Sequence, residues 1–156
     1  MSTKGSFIMH AQYVRDLSFE NHYAPFAFSD EAPGFDVSLD VNAREIEGST
    51  YEVALSVLLK AVRNEEVIFL VELEYAMLTT IESVGTKTLE EVLFIECPNV
   101  IFPFARRVMS DVVRDGGYPA VMINPVDFNE LYAMKEADGK LNILRPQANP
   151  NAATVN

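Results

Sequence analysis

Three closely spaced runs that each place apolar side chains on one strand face, separated only by short polar joints, constrain this chain more than any other feature. Asp36-Val37-Ser38-Leu39-Asp40-Val41-Asn42 puts Val37, Leu39 and Val41 on one face and polar groups on the other. After a Gly48-Ser49-Thr50 turn, Tyr51, Val53, Leu55, Val57 and Leu59 share a face; beyond Arg63-Asn64-Glu65-Glu66, so do Val67, Phe69, Val71, Leu73 and Tyr75. A period of two is that of a strand with one face buried. Joints this short cannot make the crossover that parallel pairing requires, so the runs predict an antiparallel meander. Residues 6–14 add a candidate first strand, with Phe7, Met9, Ala11 and Tyr13 expected on one face.

After residue 80 the period changes. Leu89-Glu90-Glu91-Val92-Leu93 suits a short helical turn, and Pro98-Asn99 predicts a loop into a helix that carries Pro103 in its first turn. Ala105, Val108, Met109, Val112 and Val113 then recur at intervals of three and four, until Gly116-Gly117 stops the helix. Asp127 with Glu130 opens a second helix in the manner of a capping box, with Phe128, Leu131 and Tyr132 on one face. Beyond Asp138 the apolar pattern fades. The expectation is one domain over residues 1–137 and a flexible C-terminal tail over 138–156, in an α+β arrangement of sheet followed by helices.

A chain of 156 residues is long enough for one real core and too short for two comfortable ones. Its 23 acids against 12 bases give a formal charge of −11, which argues against nucleic acid and anionic membrane as partners and for basic ones. Solubility alone would also account for that acidity. With one cysteine, Cys97, no intramolecular disulfide forms, as suits a reducing compartment. No run approaches the ~18 apolar residues of a membrane span, and Phe7-Ile8-Met9 is cut off by His10 before it could make a signal core. The expected location is cytoplasmic, with no direct membrane insertion.

Four motifs lie in register along the chain: Asp16-Leu17-Ser18-Phe19-Glu20, Phe69-Leu70-Val71-Glu72, Glu96-Cys97-Pro98-Asn99-Val100-Ile101-Phe102-Pro103-Phe104-Ala105-Arg106, and Asn124-Pro125-Val126-Asp127-Phe128. Together they resemble the SecB family of bacterial protein-export chaperones over roughly residues 10 to 135. The resemblance implies a four-stranded antiparallel sheet with two main helices packed on one face, assembling as a dimer of dimers, a homotetramer. It also implies an ATP-independent holdase that binds unfolded precursor proteins and delivers them to SecA, the export motor. Four differences from the family stand out: no glycine in Glu74-Tyr75-Ala76-Met77-Leu78, His22 where proline is common, no tryptophan, and a tail from Lys140 that is not acidic.

Catalytic chemistry finds no foothold. His10 and His22 stand apart from Cys97 and from any carboxylate pair with ligand spacing, so neither a metal site nor a Cys-His nucleophile is expected. Cys97, between Phe94-Ile95 and Val100-Ile101, reads as a buried thiol. Gly85-Thr86-Lys87-Thr88 lacks the glycine-rich lead of a phosphate loop. The adjacent acids Glu65-Glu66 and Glu90-Glu91 point apart, as solvated charge does rather than an acid–base pair. The reading is a non-enzyme without a cofactor.

Three surfaces remain. Asp16, Glu20, Leu70 and Glu72 match, residue by residue, the positions that the resemblance implies contact SecA through its small basic zinc-bearing tail. Val37, Leu39, Val41, Tyr51, Val53, Leu55, Phe128, Leu131 and Tyr132 form a candidate client groove between strands and helix, core packing being the competing use of each. Val71, Leu73 and Tyr75, with Val108 and Val112, are the candidate oligomer interface. Two other functions stay open on the residues: a small-molecule or lipid carrier using the sheet–helix cavity, and a chaperone dedicated to a toxin–antitoxin partner.

Overall fold

The alternating runs become long strands in the computed structural model, which describes residues 5–28 and 31–146. β1 (Ser6–Glu20), β2 (Gly34–Glu47), β3 (Thr50–Arg63) and β4 (Glu66–Ser83) pair antiparallel. β3 and β4 meet at a two-residue turn, Asn64 and Glu65, both at positive φ as a right-twisted hairpin requires. Sheet order is β1-β4-β3-β2-β5. The fifth strand, β5 (Ile143–Leu144), was not foreseen; it pairs parallel to β2 at Ala43 and Arg44, inside the stretch expected to be a tail. The ordered fold therefore runs past residue 138, and residues 147–156 of that expected tail lie outside the described residues.

The first strand departs from simple alternation. Its register with β4 shifts between Met9 and Ala11 and again between Val14 and Asp16, leaving His10 and Arg15 as bulges. Each bulge inverts the phase. Phe7 and Met9 stand with Ile81 and Thr79, but Ala11 and Tyr13 turn to the opposite face with Leu78 and Ala76. The expectation that these four share a face is corrected accordingly. The second bulge restores the phase, so that Asp16, Ser18 and Glu20 face the same side as Glu74, Glu72 and Leu70.

The odd-numbered face of the sheet is the core. Val41, Ala43, Tyr51, Val53, Leu55, Val57, Leu59, Phe69, Val71, Leu73, Tyr75 and Met77 are all buried. They are covered by a run of α1 (Leu89–Glu91), one wide π turn (Val92–Glu96) and α2 (Cys97–Asp115). Thr88 and Glu91 cap its start reciprocally, which is the service that Gly85-Thr86-Lys87-Thr88 performs. The expected loop at Pro98 is helix instead. Pro98 has no N–H to give and its ring crowds the carbonyl four residues back; the π turn just before it widens the helix there, with the Cys97 N–H bonding Val92. Pro103 lies further inside α2 on its exposed side, while Ile101, Phe102, Ala105, Met109 and Val113 bury the opposite stripe. That burial holds the helix together across both prolines.

α3 (Phe128–Ala137) begins where expected. Asp127 accepts from the Asn129 and Glu130 N–H groups, and Phe128 is buried against Phe102 with ring centroids 6.0 Å apart. The helical run is tied to the residues flanking β1: the Gly5 N–H donates to the Glu96 carboxylate at the start of α2, and Asn21 Nδ2 to the Gly116 carbonyl at its end. With helices on one side only, the even-numbered face stays open.

Candidate functional site

Two surfaces on this frame differ in chemistry. The first is an apolar groove of about 650 Å³ at one end of the sheet, walled by the β1–β2 crossover, the start of β2 and the segment after α2. Phe28, Phe35, Phe69, Tyr118, Val121 and Met122 line it. Phe69 is the buried floor, 4.5 Å from Tyr118, 5.9 Å from Phe19 and 6.3 Å from Phe35 by ring centroid. Phe28 stands 5.3 Å from Tyr118 at the rim, half exposed. It lies over Gly117, where a Cβ would come within 2.7 Å of its ring and where φ is +95°. Only glycine fits that position without strain.

Polar bonds tie the walls. Arg63 donates to the Ala27 carbonyl at 2.7 Å and to that of Glu31 at 2.9 Å, fixing the crossover to the end of β3. The Tyr118 hydroxyl donates to Asn21 Oδ1 at 2.6 Å, closing the other side. Aromatic walls that are tied yet open to solvent bind extended apolar segments without reading their sequence closely.

The second surface is the open sheet face. Across the strands from β1 to β2 its rows read Glu20-Leu70-Lys60-Asp36, Ser18-Glu72-Leu58-Ser38 and Asp16-Glu74-Ser56-Asp40. A shallow depression of about 320 Å³ lies there, lined by Asp16, Asp40, Leu58, Glu72 and Glu74 among others. Further along the same face, Tyr13, Arg15 and Arg44 converge on Glu52. Arg15 lies 2.8 Å and Arg44 2.9 Å from its carboxylate, which also accepts from the Tyr13 hydroxyl. Burial pushes the Glu52 carboxyl up, but the bonds from Tyr13 and Arg44 and the charges of both arginines outweigh it and hold it below the usual range.

The structure brings together the four residues expected to meet a basic partner. Asp16, Glu20 and Glu72 are exposed and Leu70 is half buried, all on the open face. The expected client groove is largely corrected. Val41, Tyr51, Val53, Leu55 and Phe128 are buried beneath the helices as core, and Leu39, Leu131 and Tyr132 are half buried against it. Val37 alone of that set is exposed, and it is not among the residues lining the aromatic groove. Val71, Leu73 and Tyr75 are likewise core within one chain rather than a free subunit surface, and Val108 and Val112 pack half buried on the same core. Cys97 is buried as expected, and burial pushes its thiol up to about 12.

Comparison with known proteins adds the following. The family model described as "Preprotein translocase subunit SecB" matches residues 1–139. A "Protein-export protein SecB" of Maricaulis maris is 51% identical over 124 residues, covering 78% of this chain and 72% of that protein. Its namesake in Parvibaculum lavamentivorans is 48% identical over 123 residues, covering 78% and 73%. That of Bartonella quintana is 38% identical over 138 residues, 87% of each chain. Among solved structures, a SecB-like chaperone of Mycobacterium tuberculosis in complex with a peptide from an antitoxin superposes with a TM-score of 0.64, over 77% of this chain and 90% of that one. At 13% identity that likeness speaks to the fold.

The Glu52 cluster carries a pH test. Burial, followed by the bond to Glu52, raises Tyr13 from its ordinary 10 to about 12. Tyr13 thus keeps its proton in the fold, and the stability it contributes is whole below pH 10 and lost as pH rises towards 12. Glu52→Gln should lower the Tyr13 midpoint, though not fully, because burial remains. NMR titration with ring-labelled tyrosine reads it, and an unmoved midpoint would contradict the cluster.

Proposed function

The chain belongs to the SecB family of protein-export chaperones, and from that premise we propose how its surfaces divide the work. The aromatic groove holds unfolded precursor proteins without nucleotide, and the acidic face presents the loaded chaperone to the SecA export motor. The observation that carries the first half is the groove itself: tied walls, aromatic lining and an open mouth. Holding of this kind works through broad contacts, each weak, repeated over several copies. The second half rests on Asp16, Glu20, Leu70 and Glu72 lying together on a flat sheet face, where carboxylates steer a basic segment and a leucine adds apolar contact. A lone buried cysteine and an acidic surface suit the cytoplasm as its place of action.

Association into a homotetramer fits the same frame. β1 is an edge strand of 15 residues with no strand on its outer side among the described residues. Met9, Val14 and Leu17 on its helix side, and Val100 and Phe104 on α2, are exposed apolar groups beside that edge or on its covering helix. Val71, Leu73 and Tyr75 act on assembly through α2, which they support from beneath.

Three measurements test these roles. A reduced precursor refolding in the presence of the protein should refold more slowly, and Phe28→Asp should abolish most of the slowing, since a charge at the rim opposes apolar segments. No slowing by the wild type at stoichiometric tetramer would sink the holding role. Glu72→Lys, or Asp16→Lys with Glu20→Lys, should weaken binding of the motor's basic tail in titration calorimetry while refolding is still slowed. Wild-type binding should itself fall as salt rises. Unchanged affinity in the reversed variants would remove these residues from the docking face. Sedimentation should give a species of four times 17.4 kDa, and Phe104→Asp should shift it to smaller ones; a wild-type monomer at micromolar concentration would refute assembly.

A further inference from the structure

Asp40 belongs to two parts of the molecule at once. It lines the depression on the acidic face together with Asp16, Glu72 and Glu74. Its carboxylate also receives Lys135 Nζ from α3 at 2.6 Å. α3 lies on the helix side of the sheet, so Lys135 reaches round the edge of β2. β5 leaves that edge open here, because it pairs only at Ala43 and Arg44. The lysine side chain is 12% exposed against 52% for the aspartate, and Nζ lies 5.8 Å from the centroid of the Phe94 ring.

α3 has little else to hold its second half. Phe128, its first residue, is the one it buries; Leu131 and Tyr132 are half buried, and Ala133, Met134, Glu136 and Ala137 are exposed. The segment 117–122 that walls the aromatic groove hangs between α2 and α3.

We propose that a basic partner segment docking on the acidic face displaces Lys135 from Asp40 and so loosens α3 on the other side of the sheet. The proposal rests on the docking role given above. Its chemistry is competition: the site already accommodates one ammonium, the protein's own, and a lysine-rich segment presents the same group. Asp16 and Asp40 stand about 14 Å apart, three strand spacings, a distance that a short extended segment crosses in four or five residues. Since the two equilibria share one carboxylate, the coupling is reciprocal: what frees Lys135 favours docking, and docking frees α3.

The test uses the full chain and the motor's basic tail peptide. Lys135→Gln removes the competitor and should tighten peptide binding roughly two- to fivefold, the range expected from losing one partly exposed ion pair. The comparison is with Lys140→Gln, which deletes the same charge from the turn after α3. In the wild type, peptide should also speed hydrogen exchange of amides 131–137. In Asp40→Asn those amides should exchange fast already, and peptide should add nothing. Equal affinity of the Lys135 and Lys140 variants, with α3 exchange indifferent to peptide, would overturn the coupling while docking survived. No peptide binding by the wild type would overturn docking and coupling together.

Discussion

The molecule depends on a single imbalance: a sheet with four long strands and one layer of helices. Strands 14 to 18 residues long carry an apolar odd face that must leave water. α2, with its cap and π turn, covers that face over β3 and β4 but does not extend to the end where β2 starts. Phe35 and Val37 stay partly exposed there, and the aromatic groove is what remains uncovered. The even face receives no cover and is polar for that reason. One face too apolar for its single helix layer and one face with none are the two surfaces on which the proposed holding and docking rest.

Much of this was legible because a period of two survives in the sequence wherever a strand has one buried side. β2, β3 and β4 and the burial of most of their odd positions follow without any tertiary knowledge; Val37, at the uncovered end, and Val67, paired with Val62 beyond a register shift, are exceptions and stay exposed. The placing of Leu70 and Glu72 on the open face follows likewise, since the alternation sets them opposite Phe69 and Val71. α3 was legible from Asp127, whose side chain has the backbone donors of Asn129 and Glu130 to accept.

What escaped detection lacks local periodicity. The groove walls include Ala27, Phe28, residues 31–33 and 117–122, irregular stretches joined by Arg63 and Tyr118 bonds to partners far along the chain. Assigning the groove to Val53 and Leu55 confused an apolar strand face with an open one; the helix that buries it decides between them. The bulges at His10 and Arg15 belong to a tertiary cluster. Inverting the phase of residues 11–14 carries Tyr13 across the small Ala76 and Ala54 to Glu52 on the third strand away from the sheet edge. The helix through Pro98 and Pro103 persists because Ile101, Phe102 and Ala105 are buried, which no local propensity records.

The net charge of −11 is unevenly spent across the open face, and that unevenness gives the face a direction. Arg15 and Arg44 gather at Glu52, which balances the charge of that carboxylate towards the β2–β3 turn, and Arg15 also reaches Glu74 at 3.4 Å, on the border of the acidic half. At the other end Asp16, Glu72 and Glu74 stand round Leu58 and Leu70, with Lys60 as the base set among them in the rows. On the docking role proposed above, a basic segment is drawn to that half of the sheet, where the two leucines offer it apolar contact. Asp40, at the β2 border of that half, is the one acid of the depression held by a lysine from the helical layer. The acidic half of the sheet and α3 thus meet at a carboxylate that is still half exposed, where a second ammonium can approach.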